Sequence, residues 1–145
     1  MIADRAMIAA MIPHAGAMCL LDGLLNWNDS AIRCVSRCYS GVDNPLRRED
    51  GTLGIATGIE IAAQAMALHG GLTAPAGGKP GQGFLASLRD VQFAAAKLDA
   101  GAGDLMVDAE RLLGDSSGAT YRFALSLGGA TLLSGRATVL LRAAQ

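Results

Sequence analysis

The sequence is short of aromatic residues, of paired cysteines and of surplus charge. Three phenylalanines, two tyrosines and one tryptophan occur in 145 residues. A core built from this chain must therefore be filled by aliphatic side chains and alanine. Twelve Lys and Arg face thirteen Asp and Glu. That balance leaves no basic face large enough for nucleic acid and no acidic tail. The pair Arg47-Arg48 runs directly into Glu49-Asp50, which keeps its field local. The three cysteines, Cys19, Cys34 and Cys38, are an odd number without CxxC spacing. This argues against a metal site or a disulfide framework and for a reducing cytoplasm. No apolar run reaches the ~18–20 residues that span a bilayer. The opening "AMIAAMI" and the following "AGA" loosely resemble a signal peptide, but Asp4 in the charged region and the minimal apolar stretch count against export.

What is present is a chain that is 51% apolar, rich in alanine, glycine and leucine. Its length suits one domain, residues 1–145, with a real core. Residues 5–12 predict a short amphipathic helix ending before Pro13. "CLLDGLLNW" (19–27) and "AIRCVSRCY" (31–39) predict two strands joined by the turn residues "NDS". In the second, Arg33 and Arg37 share one face with Val35, and Ile32, Cys34 and Cys38 share the other, where the cysteines serve as small core residues. After a loop, "SGVDNPLRREDGTLG", a helix is expected over 57–71. "GGLTAPAGGKPGQG" (70–83), with six glycines and two prolines, is a connector. Four strand-like runs follow, at 84–93, 104–113, 119–127 and 130–142, and Gly128-Gly129 between the last two is a tight hairpin signal. Two strands, one long apolar helix and an antiparallel meander make an α+β architecture, a sheet wrapped around a single central helix.

The helix "TGIEIAAQAMALHGG" carries one carboxylate, one amide and one histidine. Glu60, Gln64 and Ala67 cluster on one side at 100° per residue. His69 lies half a turn out of phase with Glu60 and ~13 Å further along the axis, so the two cannot pair within one chain. His69, near the helix C-terminus where a cation is favoured, is expected to be structural. Glu60 has two readings. "TGIE" fits a capping box, with Thr57 as N-cap and Glu60 reaching back to its N–H, and Gly70-Gly71 would close the other end. Alternatively, Glu60 is a general acid or base at the mouth of a buried helix. Gln64, an amide that needs partners when buried, would hold Glu60 or satisfy loop backbone.

"GIEIAAQAMALHG" resembles the central helix of hotdog-fold 3-hydroxyacyl-acyl-carrier-protein dehydratases. "IPHAGAMCLLDGLLNW" is similar to that family's opening, with Pro13, His14, Leu20 and Asp22 in matching order, and the strand runs beyond residue 84 resemble its long antiparallel strands. The closest resemblance is to dehydratases associated with aryl-polyene pigment pathways, through "DNPL…DG…GIE" and "AAQAMA". The resemblance covers most of the chain and implies a hotdog fold, β-elimination of water from a 3-hydroxyacyl thioester, no cofactor and no metal. It also implies an acyl carrier protein partner presenting the chain on phosphopantetheine, and a homodimer or a heterodimer with a related hotdog protein.

One departure matters. The common dehydratases carry a catalytic histidine in a "Gly-His-Phe-Pro-Gly" loop before the helix, and here that loop reads "SGVDNPLRRED", with Asn44-Pro45 near where His-Phe-Pro would stand. The resemblance supports Glu60 as catalytic and leaves the base unassigned. His14 is the candidate base, since histidine's pKa suits neutral-pH proton transfer; its other reading is a structural histidine at the entry to the first strand. Asn44 and Pro45 would contact substrate, and Asp43 is a further proton acceptor. The N–H groups of Gly58 and Ile59 would polarise the thioester oxygen, and Gln64 would line the same site. Ala62, Ala63, Ala65 and Ala67 leave room for an acyl chain or simply let the sheet pack closely. Arg47, Arg48 and Arg89 are either contacts for an acidic carrier protein or solvated charge. Two other functions stay open: a non-catalytic or half-catalytic subunit of a dehydratase heterodimer, and a hotdog acyl thioesterase.

Overall fold

Apolar residues at every second position build a sheet with one dry face. Leu105, Val107 and Ala109 are buried between half-buried neighbours, and Tyr121, Phe123 and Leu125 repeat the pattern on the adjacent strand. The computed structural model describes residues 1–12, 19–37, 54–74, 82–95, 104–115 and 117–142. Within them the elements are β1 (Ala3–Asp4), α1 (Arg5–Met11), β2 (Gly23–Trp27), β3 (Ala31–Ser36), α2 (Thr57–Thr73), β4 (Gln82–Phe93), β5 (Leu105–Asp115), β6 (Gly118–Leu127) and β7 (Ala130–Arg142). The described strands form one antiparallel sheet in the order β1-β2-β3-β5-β6-β7-β4. Helix α2 packs on the inner face of β3, β5 and β6. Ile61, Ala62, Ala65, Met66 and Leu68 meet Cys34, Val107, Phe123 and Leu125 there in one hydrophobic cluster. No helix among the described residues is long and apolar enough to cross a membrane.

The expected α+β layout is present, with local corrections. Helix α1 begins as its sequence asks: the Asp4 side chain accepts the Met7 N–H at 3.0 Å. Asp4 also belongs to β1, a two-residue strand that the sequence did not announce. Residues 19–22, expected as the start of a strand, lie outside the ladder, and β2 begins at Gly23. Their polar groups find other partners, described below. Cys34 is buried as expected, whereas Cys38 lies outside the described residues.

Helix α2 runs two residues past its expected end, so Gly70 and Gly71 lie inside it and do not close it. Leu72 still packs on the core, and Thr73 Oγ1 donates to the His69 carbonyl at 2.8 Å. The helix stops at Ala74, which is extended (ψ 149°), because it precedes Pro75, and the residue before proline avoids the helical region. The capping box is also corrected. The N-cap is Ala56, in helical conformation and without a side-chain cap. The Thr57 N–H that Glu60 was expected to satisfy donates instead to the Gly54 carbonyl at 3.0 Å. A tight turn entering the helix has taken over the capping function.

The β6–β7 hairpin is the turn the sequence predicts. Gly128 and Gly129 have φ of 59° and 84°, the doubly left-handed pair that matches the twist of the flanking strands. Gly129→Ala is expected to destabilise the protein by about 1 kcal/mol, because an L side chain is strained at that φ. Urea unfolding checks it, and an unchanged midpoint would show that the hairpin tolerates another turn.

Candidate active site on the uncovered stripe of the central helix

Helix α2 is apolar nearly all round, yet its own sheet does not enclose it all round. Ile61, Ala62, Gln64, Ala65, Met66, Leu68 and His69 are buried. Ile59, Glu60, Ala63, Ala67 and Gly70 are only partly buried, and their three- and four-residue spacing makes them one continuous stripe. A Cβ added at Gly70 would meet nothing within 4 Å, so the stripe opens to free space at that end. Glu60, the only acidic residue of the helix, thus stands on its least covered side, beside alanines. Of the four alanines considered for acyl room, Ala63 and Ala67 lie on this stripe, and Ala62 and Ala65 belong to the packed core.

Gln64, one turn on, is 0% exposed, and its Oε1 accepts the Leu20 N–H at 2.8 Å. On the other side of the same residue, Ser36 Oγ donates to the Leu20 carbonyl at 2.6 Å. Both polar groups of Leu20 are therefore satisfied by side chains in the dry interior, which is why this segment needs no ladder. Gln64 thus satisfies backbone at Leu20, one of the two roles expected for it. The next turn of chain is tied down as well: the Asp22 N–H donates to the Val35 carbonyl at 2.9 Å, and Asp22 Oδ2 accepts the Arg37 N–H at 2.5 Å. A fixed segment from Cys19 to Asp22 therefore connects α2 to the chain that carries Pro13 and His14.

The N–H groups of Gly58 and Ile59 donate to the carbonyls of Ile55 (2.9 Å) and Ala56 (3.1 Å). A thioester oxygen would have to share them with those turn bonds. His14, Asp43, Asn44, Pro45, Arg47 and Arg48 lie outside the described residues. Among the described residues no group of three His, Cys, Asp or Glu side chains is placed to hold a metal ion.

His69 is structural, as expected, but not as a cation. It is fully buried, with Nε2 2.9 Å from the Asn28 carbonyl and Nδ1 2.7 Å from the Tyr121 hydroxyl. A carbonyl only accepts, so Nε2 carries the proton and Nδ1 accepts from Tyr121. The two rings meet edge to face at 5.5 Å and 88°. Burial lowers the His69 pKa, the Asn28 hydrogen bond works against that, and the Arg111 charge lowers it further. Arg111 itself is anchored, donating to Thr73 Oγ1 at 3.3 Å and to the Asp29 carbonyl at 2.6 Å. This network pins the far end of α2 to the β2–β3 turn. Burial also pushes the Cys34 thiol up to about 12, which leaves it unreactive at neutral pH.

An antiparallel sheet wrapped on one long helix is the hotdog fold. The family model for ApeP dehydratase matches residues 6–144. The chain belongs to the ApeP-like dehydratase family. Among solved structures it is similar to the dehydratase heterocomplex ApeI:P from Xenorhabdus doucetiae, at 25% identity and a TM-score of 0.81, covering 93% of this chain and 90% of that one. A thioesterase of Pseudomonas aeruginosa shares the fold at 12% identity and a TM-score of 0.68, over 97% of this chain and 95% of that one. A thioesterase of Haemophilus influenzae does so at 10% identity and 0.68, over 99% and 93%. No curated protein matches the chain in sequence.

Two predictions follow from the buried polar contacts. Gln64→Leu leaves the Leu20 N–H without its acceptor and is expected to cost about 1–3 kcal/mol in urea unfolding; a cost near zero would mean that Leu20 finds another acceptor. For His69, the unfolded chain takes up a proton near pH 6.5 and the folded chain does so only at lower pH. Stability is therefore full above pH 6.5 and falls as the pH drops below it. Asp104 and Asp115, whose pKa values are lowered from 3.8, act in a separate and more acidic window. The urea midpoint should decline between pH 6.5 and 5 in the wild type and stay flatter over that range in His69→Gln.

Proposed function

We propose that this protein is one subunit of a two-chain hotdog dehydratase that removes water from 3-hydroxyacyl thioesters carried by an acyl carrier protein. The observation that carries the reading is the position of Glu60, the single carboxylate of α2, on the half-buried stripe of that helix. It is supported by membership of the ApeP-like family and by similarity to a dehydratase built from two different chains. The missing loop histidine points the same way, because an associated hotdog chain that retains it could supply the base next to this stripe. His14 is the base available within the chain.

In the reaction, the base takes a proton from the carbon next to the thioester carbonyl. The C3–O bond breaks as Glu60 donates a proton to the departing hydroxyl, and an enoyl thioester and water are formed. Asn44 and Pro45 are the further residues proposed to contact the substrate, and Gln64 keeps the segment at Leu20 in place. Gly58 and Ile59 offer N–H groups to the thioester oxygen by sharing them with the turn. Ala63 and Ala67 flank the acyl chain. No cofactor or metal enters this scheme, and the cytoplasm is the compartment where such carrier-bound substrates would be met.

The test measures enoyl product from a 3-hydroxyacyl carrier-protein substrate, with the protein alone and with a related hotdog dehydratase chain added. Activity is expected only, or at least tenfold more, in the mixture. Glu60→Gln should lower kcat by about 10²–10⁴-fold. His14→Ala should do the same if the base is internal and leave kcat unchanged if the partner supplies it. Wild-type turnover in Glu60→Gln would sink the assignment of Glu60, and release of free thiol without enoyl product would favour a thioesterase.

A further inference from the structure

The face of the sheet turned away from α2 carries charge in ordered rows. In two places the charge is internally settled. Arg33 meets Asp108 in a two-pronged contact at 2.7 and 3.2 Å, and Arg37 meets Asp104 at 2.8 and 3.0 Å. The next row is different. Arg122 on β6 stands directly opposite Arg136 on β7, and Arg136 stands opposite Arg89 on β4. All three are exposed. Like charges facing each other across a ladder destabilise it, and the two nearby carboxylates, Glu110 opposite Arg122 and Asp90 near Arg136, offset the three arginines only in part. Arg136 has only a loose contact with Asp90, at 3.9 Å with both side chains largely exposed. Arg89 and Arg122 make no ion pair among the described residues.

The shape of this row restricts what it fits. Adjacent strands are about 4.8 Å apart, so the three guanidinium stems are spread over about 10 Å. Carboxylates at positions i, i+4 and i+7 of a helix are spread over about the same distance, at 1.5 Å per residue. A helix laid across the strands would therefore place one carboxylate opposite each arginine. Glu110, opposite Arg122, ends the positive row on the β5 side. With a net charge of −1 for the whole chain, this short bounded row suits a discrete acidic helix better than a long polyanion such as nucleic acid or an extended lipid surface.

We infer that the Arg89–Arg136–Arg122 row docks an acidic helix of a partner protein, and that this partner is the acyl carrier protein. The second half of the inference rests on the function proposed above. Arg89 was a candidate from sequence; Arg122 and Arg136 join it only through strand register. Exposed arginines on such a face act mainly through encounter and orientation, so the contact should weaken with salt.

The experiment uses the protein together with its hotdog partner chain and a holo carrier protein that bears no acyl group, so that binding is read without turnover. Fluorescence anisotropy is expected to give about tenfold weaker binding for R89Q/R122Q/R136Q than for wild type, and a smaller salt dependence. The thermal midpoint should be unchanged or raised, since like-charge repulsion is relieved. R33Q, which removes a paired arginine from the same face, should bind like wild type. Equal affinity of wild type and the triple variant, an equal loss in R33Q, or no binding of the carrier by wild type would each overturn the docking assignment. Turnover separates the two proposals: loss of binding in the triple variant without any dehydration by wild type would refute the function and keep the docking face. Dehydration with an unchanged KM for the carrier-linked substrate in the triple variant would do the reverse.

Discussion

A helix that is apolar on nearly every side has to be surrounded, and one antiparallel sheet of this width cannot surround it completely. That constraint organises the molecule. The strands β3, β5 and β6 cover Ile61, Ala65, Met66 and Leu68, and what they leave is the line of Ile59, Glu60, Ala63, Ala67 and Gly70. The burial of each large aliphatic residue contributes on the order of 1.5–3 kcal/mol, so the helix is held by its greasy side. Its one carboxylate stays on the side left over. The half-buried stripe is apolar enough to gain from a neighbouring chain.

Polar groups inside this enclosure are few and answered one by one. Leu20 is gripped between Gln64 and Ser36, and His69 bridges Tyr121 and the Asn28 carbonyl. These contacts hold the two halves of α2 to different parts of the chain, its first half to the segment that follows His14 and its second half to the β2–β3 turn. A hydrophobic interface alone would let the helix slide or rotate. Directional bonds at two points along it do not. The position of Glu60 along the sheet is thereby set by bonds made elsewhere on the helix.

The outer face obeys another logic. Where arginine and aspartate face each other across β3 and its neighbours, the charge is consumed locally, as at Arg33–Asp108. Where three arginines align over β6, β7 and β4, it is not. The inner face of the same sheet is a packing surface, and the outer face is a charge pattern whose balance differs from row to row. On the proposed function, the two faces divide the labour between substrate chemistry and delivery.

Much of this architecture was legible in the amino-acid order. The strand-like runs at 119–127 and 130–142, the Gly128-Gly129 turn and the largely apolar run after Thr57 report local geometry, and local geometry follows from neighbours in sequence. Glu60 stood out because a lone carboxylate on an apolar helix is a local anomaly. The failures have one physical origin. Residues 19–22 read as strand because they are mostly apolar, but the hydrogen bonds of Leu20 go to Gln64 and Ser36, distant in the chain. The capping box at Thr57 was displaced by a preceding turn, and the proton on His69 depends on an oxygen of Asn28 and a hydroxyl of Tyr121. The arginine row exists only in the register of three strands. Most elements and their dry sides could be read from local pattern alone, because helix and strand periods are set by near neighbours. Which side of the helix stays half-buried and which charges stand together follow from contacts between residues far apart along the chain.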